Sequence, residues 1–152
     1  MAPSKHISFM DSAVDLAKTA LTVGEVPVGA VVVQSGNIIG RGHNRTRIDQ
    51  DPTAHAEIVA IREATRFLGN DRLEDCDLWV TLEPCTMCAG AIAHARIGRL
   101  YYGASDAKGG AVDSGVRFFN APTCHHQPEI YAGMGEEISA ALLKDFFRSR
   151  RD

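Results

Sequence analysis

Apolar residues recur at helical spacing from the start of the chain. Ile7, Met10, Val14, Ala17 and Leu21 share one face and Ser4 is suited to an N-cap, so residues 4–22 are expected to form an amphipathic helix. The period then changes. Val28 to Val33 is dense in β-branched residues, Ser35-Gly36-Asn37 turns the chain, and Ile38-Ile39-Gly40 resumes it, the pattern of a hairpin. Asp51-Pro52 pairs an N-cap residue with a proline suited to the first helical position; Ala54 to Leu68 has helical composition, and Gly69 stops it. Leu78 to Leu82 reads as a short buried strand, and Pro84 opens a helix ending near Arg96, with Gly98 just beyond. Leu100-Tyr101-Tyr102 is the next strand and Glu129 to Tyr131 a last short one. Residues 136–150 close the chain as a helix with Ile138, Leu142, Leu143 and Phe146 inward. Strands alternating with helices after an initial hairpin imply an α/β layered domain around a mixed sheet.

Composition narrows this picture. A chain of 152 residues, 45% hydrophobic and 23% charged, is expected to form a single domain, 1–152, whose core needs no disulfide or structural metal. The opening Met1-Ala2-Pro3-Ser4-Lys5-His6 has no export signal, and no run approaches the roughly 18 apolar residues of a membrane span, so the cytoplasm is the expected compartment. In that compartment the close pair in Cys85-Thr86-Met87-Cys88 implies metal or redox chemistry before a disulfide. The net charge of -3 gives no global sign of nucleic-acid binding, so any RNA contact must come from a local patch.

Two short motifs carry chemistry: His55-Ala56-Glu57 and Pro84-Cys85-Thr86-Met87-Cys88, each in the first turn of a predicted helix. Cys85 and Cys88 are three apart and share a helical face, and a helix N-terminus favours the thiolate form of both. His55 adds a third ligand, and three protein ligands leave one tetrahedral position of Zn²⁺ for water, as in catalytic sites. Bound zinc brings the pKa of that water to about 7. His55 and Glu57, two apart, do not share a helix face, so they can meet only at a site lying off the helix's N-terminal end.

These residues resemble the signature of the cytidine-deaminase-like zinc superfamily, His-x-Glu followed by Pro-Cys-x-x-Cys, whose chemistry is well established. The resemblance implies a three-layer α/β/α fold with a central mixed sheet of about five strands flanked by helices. It implies one zinc per subunit held by His55, Cys85 and Cys88. Glu57, not a ligand, would shuttle a proton from the zinc-bound water to the ring nitrogen and then to the departing amine. Within the superfamily, Glu25 to Val31, Asn44, Asp51 to Ile58, Thr81 to Ile92, Gly103 to Gly110 and the closing Asp145 to Arg151 are similar to the bacterial transfer-RNA adenosine deaminases, so the likeness covers nearly the whole chain. It implies conversion of the wobble adenosine of an anticodon stem-loop to inosine by a homodimer, with release of ammonia. Asn44 would bond the flipped base, Val28 and Ala56 would line its pocket, Asp106 and Lys108 would contact the neighbouring ribose and phosphate, and Phe147, Arg148 and Arg150 would meet the loop. The segments Gly115 to Phe119 and Thr123 to His126 depart from that pattern.

Plainer readings stand beside these. Cys76, Cys124, His125 or His126 could complete a closed structural zinc site, although such a site has no use for Glu57. Asp106 could be a turn former before the glycines, and the terminal arginines a solvated helix end. A free base or nucleoside, such as guanine or cytosine, could be the substrate of the same zinc centre. A zinc-stabilised RNA-binding module without catalysis is the reading from another class.

Overall fold

The computed structural model describes residues 8–151. Helix α1 spans Met10–Thr22, so the expected helical positions Ser4 and Ile7 lie outside the described residues. Strands β1 (Gly29–Gln34) and β2 (Asn37–His43) form the expected hairpin. Its two-residue turn holds both Ser35 and Gly36 at positive φ, 51° and 80°, the twist that closes a tight antiparallel pair.

Helix α2 spans Ala56–Leu68, later than expected, with His55 as its N-cap. Asp51-Pro52 does not start it. The Asp51 carboxylate accepts hydrogen bonds from the Thr53 amide at 2.9 Å and the Thr53 hydroxyl at 2.7 Å, closing a local turn before the helix. Gly69 ends α2 in the left-handed region, as its sequence position implied. Strand β3 is Cys76–Leu82, helix α3 is Thr86–Ala95 and strand β4 is Arg99–Ala104. Helix α3 begins one residue after its N-cap, Cys85, with Pro84 outside it. It ends at Arg96 as expected, in the left-handed region (φ 63°), with Gly98 just beyond. A short 3-10 turn (Phe118–Asn120), strand β5 (Glu129–Ala132) and helix α4 (Glu136–Arg151) complete the chain.

The five strands form one mixed sheet in the order β2-β1-β3-β4-β5. β1 runs antiparallel to β2 and β3, while β3, β4 and β5 are parallel. β1 is buried on both faces, which explains its unbroken apolar run. Ala30 and Val32 point with Leu78, Val80, Leu100 and Tyr102 to the side covered by α2 and α3. Val31, Val33 and Trp79 point to the other side, against Met10, Ala13 and Val14 of α1, with Leu142 of α4 at its edge. The result is three layers, α/β/α.

Close approach of α2 to β2 depends on Gly42, where a Cβ would lie 2.4 Å from the Ala56 carbonyl oxygen. This packing holds the N-terminal end of α2 against the sheet edge. On α4, Phe146 is buried as expected and Leu142 and Leu143 are half-buried, but Ile138 is 44% exposed. Ser139 takes the inward position, because only a small side chain fits over Gly103. Among the described residues no helix is long and apolar enough to cross a membrane.

Candidate zinc and nucleobase site

The N-terminal ends of α2 and α3 meet beside the C-terminal end of β3. His55 and Cys85 are both N-caps in extended conformation, with ψ of 156° and 178°. Extended N-caps send their side chains off the helix end, while Glu57 and Cys88 come from the first turns behind them. This resolves the spacing problem of His55 and Glu57: the site lies off the end of α2.

His55 Nδ1 is 3.6 Å from Cys85 Sγ and 3.6 Å from Cys88 Sγ. One ligand atom from each residue falls within 4.8 Å of the others, and among the described residues no fourth His, Cys, Asp or Glu joins the group. Cys76 is buried in β3 within the core; Cys124 and His126 are bonded to backbone carbonyls elsewhere. Among the described residues the closed structural alternative therefore lacks a fourth ligand. Two sulfurs and one imidazole around a common point fit zinc with one coordination position left over.

The electrostatics favour a cation. Hydrogen bonding from Cys88, reinforced by His55, brings the Cys85 thiol down to about 4. The same pairing with Cys85, together with burial, raises Cys88. The pair thus loses its first proton readily and retains the second until positive charge arrives. His55 is raised, chiefly by its bond to Cys85. Glu57 is buried and does not belong to the ligand group; burial, opposed by its own backbone amide, pushes it up to about 7.

His55, Glu57 and Cys85 line a cleft of about 360 Å³, in the range of small-ligand sites, while Cys88 is fully buried. Val28, Asn44, Ala56 and Asp106 also line it. A second cleft of about 830 Å³ shares Val26, Leu82, Asp106 and Gly109 with the first and continues past Lys108, Phe147 and Arg150. Arg148 lines neither; its guanidinium turns back to Asp145. Arg150 lies 4.6 Å above the Phe146 ring and donates to the Gly24 carbonyl at 3.1 Å, so part of its bonding capacity serves the fold. Asp106 is the turn former of the plainer reading as well as a cleft residue: its Oδ1 accepts from the Lys108 and Gly109 amides.

Two buried carboxylates had no role assigned from the sequence. Glu25 accepts from Asn44 Nδ2 at 3.3 Å and from the Arg47 and Ile48 amides at 3.1 and 2.8 Å. A carboxylate only accepts, so Asn44 must turn its nitrogen to Glu25, leaving Oδ1 as an acceptor for the cleft. Glu83 accepts from four amides and a hydroxyl of the segment 106–114. Burial alone would raise Glu83, but these bonds hold it below the usual range. Their signal in the sequence was slight, an acidic residue inside an apolar stretch in each case: Glu25 before Val26-Pro27-Val28, Glu83 after Thr81-Leu82.

Fold and site together define a class, the zinc-dependent deaminases. The chain belongs to the cytidine and deoxycytidylate deaminase zinc-binding family, whose model matches residues 3–104. It is 58% identical over 151 residues to the tRNA-specific adenosine deaminase of Agrobacterium fabrum, covering 99% of this chain and 98% of that one. Against the tRNA-specific adenosine deaminase of Rickettsia bellii it is 51% identical, over 94% of this chain and 100% of that one. A solved structure from work on A-to-I editing by deaminases at the wobble position of transfer RNA superposes with a TM-score of 0.88 at 59% identity, over 89% of this chain and 98% of that one. The guanine deaminase of Bacillus subtilis superposes less closely, with a TM-score of 0.64 at 35% identity, over 97% and 94% of the two chains.

Proposed function

We propose that this protein converts the wobble adenosine of a transfer-RNA anticodon stem-loop to inosine, releasing ammonia. The observation that carries it is the joining of two clefts, a small one over the metal ligands and Glu57 and a broader one edged by Phe147, Lys108 and Arg150. A free base would fill only the first. An unpaired loop presents one extruded base together with flanking bases and phosphates, and the second cleft has an aromatic and cations for them.

His55, Cys85 and Cys88 hold the metal in this reading, and zinc when bound supplies the Lewis acidity that makes water a nucleophile near neutral pH. Glu57 takes a proton at its carboxylate from the attacking water, delivers it to the ring nitrogen beside the attacked carbon, and passes a second to the leaving amine. Its raised affinity for protons suits a group that must both accept and donate near pH 7. Val28 and Ala56 wall the base, and Asn44 Oδ1 accepts from it. Ala56, the first residue of α2, presents an amide that no carbonyl of the helix can take. Asp106 and Lys108 face the neighbouring ribose and phosphate. Arg148 reaches the RNA only if its pair with Asp145 opens. The family resemblance further supports a cytoplasmic homodimer holding one zinc per subunit.

The test is to incubate zinc-loaded protein with an anticodon stem-loop RNA and sequence the product. An A-to-I change at the wobble position alone is expected, with slow release of ammonia from free guanine, cytosine or adenosine. Release from a free base with the stem-loop unchanged would overturn the proposal.

A further inference from the structure

The segment joining β4 to the 3-10 turn walls both clefts, yet it contains no helix or strand to hold its shape between Ser105 and Arg117. The Ala111 amide donates to the Pro84 carbonyl at 2.9 Å and Val112 packs in the core, but most of the bonds that hold the loop converge on one carboxylate. Glu83 Oε1 accepts from the Asp106 amide at 2.9 Å and the Ser114 hydroxyl at 2.9 Å. Oε2 accepts from the Val112, Asp113 and Ser114 amides at 3.0, 2.9 and 2.9 Å. All five donors belong to one loop, and both of its ends are gripped at once. Gly110 lies against the same carboxyl group, where a Cβ would sit 2.5 Å from Glu83 Cδ. The Tyr102 hydroxyl, from β4, ties the loop a further time through Asp113.

Glu83 is two residues from Cys85, between the end of β3 and the N-cap of α3. The turn that presents a metal-ligating sulfur thus also presents the acceptor that shapes the substrate wall. We propose that Glu83 is a positioning residue: its carboxylate sets Asp106 and Lys108 at a fixed height above the metal ligands, so that the loop and the metal turn move as one body. This rests on the deaminase reading given above and adds a determinant of substrate fit to it. The chemistry is specific to a carboxylate, because five donors converge on two acceptor atoms. Glutamine offers one oxygen and turns an NH₂ group toward amides that can only donate.

The test compares zinc-loaded parent protein with Glu83→Gln by three measurements: bound zinc, amide hydrogen exchange, and steady-state kinetics on the anticodon stem-loop. Glu83→Gln is expected to keep its zinc and to exchange faster at Asp106 and Val112 to Ser114, with α2 and α3 unchanged. KM should rise about tenfold while kcat changes less than about threefold, since what is lost is alignment of the wall and not the proton shuttle. Gly110→Ala, which wedges the loop from Glu83 without touching any ligand, should reproduce the signature and decides the matter if Glu83→Gln fails to fold. An unchanged loop and unchanged KM in a folded variant would overturn the proposal, as would loss of zinc in step with activity, which would make Glu83 a support of the metal turn alone. If the parent protein leaves the stem-loop unconverted, the substrate reading falls, and the exchange comparison still decides whether Glu83 holds the loop.

Discussion

Glu57 is buried beside the ligand group without joining it. Glu57→Ala is therefore expected to retain near-stoichiometric zinc while turnover falls about 100- to 10,000-fold, and Cys88→Ser to lose zinc; metal analysis beside single-turnover assays separates the two. Glu57 also sets a pH dependence. Its folded pKa of about 7 lies above the ordinary 4.5, so the carboxyl is tolerated below pH 4.5 and progressively destabilises the metal-free fold as pH rises toward about 7. Cys85 has the opposite sign, since its depressed pKa adds stability as pH rises above about 4. Comparing Glu57→Gln with the parent removes the part of the cysteine contribution that does not depend on Glu57. The variant's advantage in metal-free urea unfolding should grow from pH 4.5 to 7 and level off above it; a flat difference would mean that Glu57 is hydrated in the metal-free state. The ligands were legible in the sequence because N-cap and first-turn positions of two helices are local features. Glu25 and Glu83 were not. Most of their partners are backbone amides 22 to 31 residues away, and an amide has no residue type to read.

At the scale of elements, helix ends carry the function and also the strain. Gly69 closes α2 with glycine's freedom, but α3 closes on Arg96 at φ 63°, a conformation that costs a residue with a Cβ about 1–2 kcal/mol. Arg96→Gly is expected to raise stability by about 0.5–1 kcal/mol after the entropy cost of glycine, measured as a higher denaturation midpoint with activity unchanged. Glycine is the usual residue at a left-handed helix end, and Gly98 stands just beyond Arg96. Gly98 instead lies against the backbone, where a Cβ would approach the Glu74 carbonyl oxygen at 3.1 Å. The late start of α2 has a comparable cause. Asp51 spends its acceptor on Thr53, so the cap passes to His55, whose extended backbone is what aims the imidazole at the cysteines. On α4 the apolar period was clear, but its phase was not. Ser139 over Gly103 rotates the helix so that Phe147 and Arg150 reach the outer cleft and Arg148 does not.

For the whole molecule, the core lies on both faces of the sheet and contains none of the chemistry except Cys88 and the walls of the site. Removal of zinc by a chelator is thus expected to abolish deamination while far-ultraviolet circular dichroism and a cooperative unfolding transition persist. Collapse of the fold on chelation would favour the zinc-stabilised binding module instead. The net charge of -3 is compatible with RNA binding because Lys108 and Arg150 lie together at one cleft.

The chain's own pattern determined the kinds of elements, their order and the chemistry of the ligands, since periodicity, turn residues and donor type all act within a few positions. Tertiary structure decided what meets what. His55 and Cys85, 30 residues apart, converge only because β3 delivers α3 beside α2, and the loop 105–117 closes over Glu83, which accepts five of its hydrogen bonds. Contacts of that kind are made by packing and by backbone amides, which carry no signature in the order of the residues.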